Sequence, residues 1–130
     1  MKQEFVPYEL AFKLIYELGF KEKCLATIDQ SGYLHIKGTK SSPRGSMLYD
    51  IVDCPTFSQA FRWFREEYNQ HSFIELVFED EIRFDYVLYV NEDEDDCIDY
   101  GDGPFETYED AELALLDKLI EIAEGIKSKK

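Results

Sequence analysis

Nucleophilic chemistry in this chain would fall to Cys24, Cys54 and Cys97, with His35 and His71 as candidate bases. A cysteine attacks as its thiolate, so it needs a neighbouring base or cation to lower its pKa. No short spacing pairs any of the three with either histidine. Cys24 lies in an apolar stretch and reads as a core residue. Cys97 lies among carboxylates, which disfavour a second negative charge and hold its thiol protonated. Cys54, just before Pro55 at a helix entrance, is the best placed of a weak set. The chain has no serine-centred elbow, no phosphate-cradling glycine loop and no paired-histidine zinc motif. These residues predict no catalytic site and no cofactor.

The other concentration of reactive groups is acidic. Glu92, Asp93, Glu94, Asp95 and Asp96 run together and are followed by Asp99 and Asp102. Several carboxylates could hold Ca²⁺ or Mg²⁺, but an EF-hand loop needs acids at alternate positions, a central glycine and a late glutamate. Here Cys97 and Ile98 fall at ligand places and Gly101 and Gly103 come too late, so the run predicts no metal. Between Asn91 and Glu112 stand eleven acids and no base. Such a field suits a solvated surface, or a mimic of the phosphate ladder that occupies a nucleic-acid-binding protein.

The whole chain leans the same way, with 28 acidic against 14 basic residues and a formal charge of -14. That balance repels nucleic-acid phosphates and anionic membrane surfaces, so direct nucleic-acid binding and membrane attachment are not expected. No apolar run approaches the roughly 20 residues that span a bilayer, and Met1-Lys2-Gln3-Glu4 lacks the apolar stretch of a secretory signal. A cytoplasmic protein with reduced thiols is the expectation, since the cysteines are odd in number and widely spaced. At 45% hydrophobic and 15% aromatic residues the 130-residue chain is well supplied for one core, and we expect a single domain over residues 1–130.

The positioning elements follow from periodicity and punctuation. Pro7 opens and Gly19 closes a helix whose buried stripe is Leu10, Ala11, Leu14, Ile15 and Leu18, with Phe20 set to meet Ile15 in a Schellman ending. Residues 24–28 and 33–37 alternate about Asp29-Gln30-Ser31-Gly32 and read as a hairpin. Residues 38–55 read as a long, locally basic loop. Thr56 and Gln59 fit a capping box ahead of Phe57, Ala60, Phe61, Phe64 and Tyr68, a second helix. Residues 73–78 and 82–90 read as strands, with Ile82, Phe84, Tyr86, Leu88 and Val90 on one side. An acidic loop over 91–104 follows, in which Cys97, Ile98 and Tyr100 could form a short edge strand. Thr107 with Asp110 caps a last helix running to about Ile126. The order α-β-β-α-β-β-(β)-α predicts an α+β fold, a mostly antiparallel sheet of four or five strands with three helices mainly on one face.

Three stretches, Phe5-Val6-Pro7-Tyr8-Glu9-Leu10-Ala11 through Leu18-Gly19-Phe20, Gln59-Ala60-Phe61-Arg62-Trp63-Phe64-Arg65-Glu66 and Thr107-Tyr108-Glu109-Asp110-Ala111-Glu112, together resemble short uncharacterised proteins of phage and prophage regions in gut bacteria. The resemblance rests on packing and capping residues. It implies a genomic neighbourhood and carries no catalytic or binding residues with it.

The helices hold more apolar surface than one sheet contact requires. Phe12 and Tyr16 sit on a shoulder of the first helix, Trp63 at the flank of the second beside Arg62 and Arg65, and Leu113, Leu116 and Ile120 widen the apolar arc of the last. Helices packed side by side would bury these shoulders. Left open, they would serve contact with an unidentified protein partner or self-association through the last helix, Trp and Arg being the types that often dominate such contacts. The expected role is therefore a non-enzymatic accessory protein acting through protein contacts. The rival is a small enzyme or ligand-binding domain whose pocket lies between the sheet and the 38–55 loop, with Cys54, His35 or His71 in its lining.

Overall fold

A computed structural model describes residues 4–38, 51–78, 80–92, 95–101 and 103–128, with the backbone alone at 90–92, 95–100 and 127–128. The chain is α+β, and its described strands pair antiparallel throughout. They form two three-stranded sheets rather than one sheet of four or five strands. Contacts gather into two units, residues 1–59 with 124–130 and residues 60–123, and the division falls inside the second and third helices.

In the first unit, α1 (Tyr8–Phe12) follows Pro7, whose carbonyl accepts from the Ala11 N–H at 2.9 Å. The helix then widens into a π-helical stretch, Lys13–Glu17. Leu18 N–H donates five residues back to the Lys13 carbonyl (3.0 Å), and Phe20 N–H donates to Leu14 (2.8 Å). The expected ending aimed Phe20 at Ile15; the extra residue in the π turn moves its carbonyl partner back to Leu14. Gly19 still provides the left-handed exit, at φ 81°. Leu14, Leu18 and Phe20 are thereby buried, and Tyr16 is left 63% exposed.

The expected hairpin is β1 (Ala26–Asp29) and β2 (Leu34–Ile36). Asp29 locks its turn: one carboxylate oxygen accepts from the Ser31 N–H (2.9 Å), the Ser31 hydroxyl (2.6 Å) and the Tyr33 N–H (3.0 Å), while Gly32 supplies φ 90°. The expected 38–55 loop is shorter than predicted. Its end is a strand, β3 (Ile51–Cys54), which takes the other edge of β1 to give the order β2-β1-β3. Residues 39–50 lie outside the described residues.

Thr56 caps α2 (Phe57–Tyr68) by accepting from the Gln59 N–H at 3.1 Å. The box is not reciprocal, because the Gln59 amide donates instead to the Lys23 carbonyl at 2.7 Å. In the second unit, β4 (Gln70–Phe78), β5 (Ile82–Glu92) and β6 (Asp95–Tyr100) form a meander in the order β4-β5-β6. The expected acidic loop is thus largely strand: 91–92 finish β5 and 95–100 form β6, paired from Val87↔Tyr100 to Glu92↔Asp95. Thr107 accepts from the Asp110 N–H (3.0 Å) and caps α3 (Tyr108–Ser128). Phe64, Leu88, Leu115, Leu116, Leu119 and Ile120 are among the unit's buried side chains.

Candidate functional site

Of the three cysteines, Cys24 and Cys54 are held out of reach, and Cys97 belongs to β6. Cys24 is buried, and its thiol is pushed up to about 11 by burial and by the Asp53 carboxylate, with Lys37 opposing. Cys54 is fully buried on β3, its S–H donating to the Val6 carbonyl at 3.0 Å. Burial and the Cys24 thiol beside it push it up to about 12. Both are neutral near pH 7, so neither serves as a nucleophile. Cα partners place His35 of β2 opposite Thr27 of β1, and Thr27 opposite Asp53 of β3. The hydroxyl side chain therefore stands between imidazole and carboxylate, the wrong order for a carboxylate to orient the base, and Asp53 pairs instead with Lys37 at 2.9 Å. His71 is exposed on β4, 2.9 Å from the Asn69 side-chain oxygen.

A labelling prediction follows from the two buried thiols. Iodoacetamide at about pH 8 leaves Cys24 and Cys54 unmodified in the folded protein and labels both once urea unfolds it, as read by peptide masses. Their folded pKa values lie above the ordinary 9.0, so the stability the neutral thiols carry is complete below pH 9 and is lost as the pH climbs through about 11 and 12. Urea midpoints measured from pH 8 upward should fall across that window.

The residues expected to make contacts divide by burial. Arg62 is exposed on α2 and Leu113 is 40% exposed on α3. Trp63, by contrast, is only 6% exposed, with edge-on ring contacts to Phe64 (5.1 Å) and Tyr68 (5.5 Å). Leu116 and Ile120 are buried as well, so the wide apolar arc of α3 is core and leaves little of it for the expected self-association. The reason is that flanking positions on these helices face other chain segments rather than solvent. In the acidic run, Glu92 ends β5, Asp95, Asp96 and Asp99 belong to β6, and Asp93, Glu94 and Asp102 lie outside the described residues. No group of three or more His, Cys, Asp or Glu is arranged to hold a metal among the described residues, and no helix there is long and apolar enough to cross a membrane.

The exposed apolar surface lies instead at the far end of the β4–β5 hairpin. Directly opposed residues of an antiparallel pair share a face. Register therefore puts Leu76 beside Phe84 and Phe78 beside Ile82 on the same face as Tyr86 and Leu88. Along that face burial falls away: Leu88 is 0% and Tyr86 4% exposed, while Leu76, Ile82 and Phe78 are 63%, 58% and 71% exposed. The Phe84 ring meets Tyr108 edge-on at 6.0 Å, carrying the patch onto the start of α3, where Tyr108 is itself 46% exposed. The opposite face of the hairpin end is polar, with a cleft of about 280 Å³ lined by Val77, Asp80, Glu81, Arg83 and Pro104. Arg83 is already committed, at 2.9 Å to Glu81 and 3.9 Å to Glu106.

The alternation from Ile82 to Val90 puts Ile82, Phe84, Tyr86, Leu88 and Val90 on one side, and the register adds Leu76 and Phe78 to it. The signal that separates Leu76, Phe78 and Ile82 from the buried residues is the acidic pair Asp80-Glu81, which is exposed and carries its nearest apolar neighbours out with it. A second aromatic run, half-buried Tyr8 with exposed Phe12 and Tyr16, has ring centroids 6.1 and 4.8 Å apart; Tyr8 and Phe12 border a shallow groove with Glu9, Lys13, Glu17 and Gln30. Comparison with protein-family models, curated proteins and solved structures finds no match for this chain.

Proposed function

We propose that this is a non-enzymatic accessory protein that grips a basic protein partner with the apolar end of its β4–β5 hairpin. The observation that carries the reading is the cluster of Leu76, Phe78 and Ile82, each more than half exposed on one sheet face and continued by Phe84 and Tyr108. Large side chains left in water together, with a charged rim, are the usual signature of a contact surface. The rim selects the partner's chemistry. Asp80, Glu81, Glu106, Glu109 and Asp110 are exposed around the hairpin end and the start of α3, Arg83 beside them is already paired with two of them, and the chain carries -14 overall. An apolar patch with a lysine- or arginine-rich border fits, both by steering and by exclusion of acidic competitors. The resemblance to phage and prophage proteins supports an accessory role of this kind.

Affinity capture from host lysate tests it, using the native chain beside a variant carrying Leu76→Ser, Phe78→Ser and Ile82→Ser. Since all three side chains face solvent, the variant keeps its fold. The native protein should recover a basic protein at low salt, and the variant should lose at least about 90% of it, in line with the more than 1 kcal/mol that each central contact residue commonly contributes. Equal recovery by both would reject the hairpin end as the binding surface.

A further inference from the structure

We infer that the outer edge of β4 accepts the β4 strand of a second copy of this chain, antiparallel and centred on Phe73, so that two three-stranded sheets join into one. Strand β4 stands at the end of the order β4-β5-β6 and pairs with β5 over nine consecutive positions without a bulge. Every second residue of such a strand turns its N–H and C=O away from the neighbour it already has. Among the described residues, no backbone hydrogen bond from another element reaches those outward groups. Edges of this length are ordinarily blunted by lysine, proline or a bulge. β4 has none of these and a single acid, Glu75. Phe73 on this strand is 58% exposed.

The charge pattern names the occupant. Glu75 lies directly opposite Asp85 of β5, and neither has a cation partner among the described residues. Like charges so placed are destabilising, and a hydrogen-bond donor arriving on the open side of Glu75 relieves them. β4 itself supplies a hydrogen-bond donor on the same face, the ring N–H of His71, four residues from Glu75 with Phe73 midway. A two-fold axis through Phe73 sets Phe73 against the partner's Phe73. It also sets His71 against the partner's Glu75, and Glu75 against the partner's His71. Moving the axis to Ile74 places Glu75 against an apolar ring, and moving it to Glu75 sets the carboxylates face to face. The strand is therefore self-complementary in one register. The net charge of -14 opposes close approach of two copies, and physiological salt, with a screening length of about 8 Å, confines that repulsion to groups near the seam. The surface used here is the strand edge, so the inference stands apart from the partner-binding face at the hairpin end.

Single-cysteine crosslinking tests the register directly. In a Cys97→Ser background, with Cys24 and Cys54 buried, Phe73→Cys should form a covalent dimer under mild oxidation. Leu76→Cys, at a position of similar exposure on the same strand, should not, because its opposite number in this register is the partner's Gln70. Sedimentation of the unmodified protein in physiological salt should show a concentration-dependent dimer. Glu75→Lys should weaken it at least tenfold, and adding His71→Glu to that variant should restore it. A strict monomer at high concentration, equal crosslinking at 73 and 76, or a dimer indifferent to Glu75→Lys each overturns the inference.

Discussion

Replacing Phe64 by alanine is expected to lower the unfolding free energy by about 3–5 kcal/mol, the largest single loss foreseen in this chain. Phe64 recurs with Phe57, Ala60 and Tyr68 on one stripe of α2, and its side chain is fully buried. Its ring packs 5.1 Å from Trp63 and 5.9 Å from Tyr68. Truncation removes the transfer energy of the ring and opens a cavity in packing that relaxes only in part. Natural domains hold only about 5–15 kcal/mol in total, so the variant should sit near the edge of folding at 37 °C. The check is a urea titration read by far-ultraviolet circular dichroism. The midpoint should drop steeply, whereas Leu25→Ala, at a side chain 67% exposed, should stay within about 0.5 kcal/mol of the parent. Comparable small shifts for both would mean that α2 is not packed as described.

The second large effect is expected at Gly101, where a methyl group has nowhere to go. Gly101 follows β6 and donates its N–H to the Tyr86 carbonyl at 2.9 Å. A Cβ there would run into the Asp85 carboxylate and come within 2.7 Å of two carbons of the Tyr86 ring. Neither neighbour yields easily. The same Asp85 oxygen accepts from the Tyr86 N–H at 2.8 Å, and Tyr86 is 96% buried, at 4% exposure. Gly101→Ala should therefore destabilise by about 1–3 kcal/mol through overpacking, with the loss seen as a lower thermal midpoint. Gly125→Ala serves as the comparison. A Cβ at Gly125 meets nothing within 4 Å, and alanine is the better helix former, so this variant should be neutral or slightly stabilised. A thermal midpoint unchanged by Gly101→Ala would contradict the close approach of β6's end to β5.

Capping and turn chemistry made most of the elements legible before any coordinates. Thr56 and Thr107 cap α2 and α3, and Asp29 with Gly32 turns the first hairpin, because each of those side chains acts within four residues of itself. What depends on distant partners was hidden. Ile51-Val52-Asp53-Cys54 is too short for a period to declare itself, and it becomes a strand because β1 offers it an open edge. The division of the six described strands between two sheets is likewise set by pairing that no local pattern encodes. Periodicity placed Leu116 and Ile120 on a widened apolar arc correctly, yet it could not say that the arc is covered. The alternation rule grouped Ile82 with Tyr86 and Leu88, and the register adds Leu76 and Phe78 to a face that runs out of cover before it runs out of apolar residues.

The most direct measurement of the proposed role is site-specific photocrosslinking in the native host, with a benzophenone side chain installed at position 78. Glu66, exposed on α2, provides the comparison site. Position 78 should yield one dominant adduct with a basic protein and position 66 should not. Adducts of equal strength at both positions, or none at 78 when 66 gives one, would contradict a partner-binding face at the hairpin end.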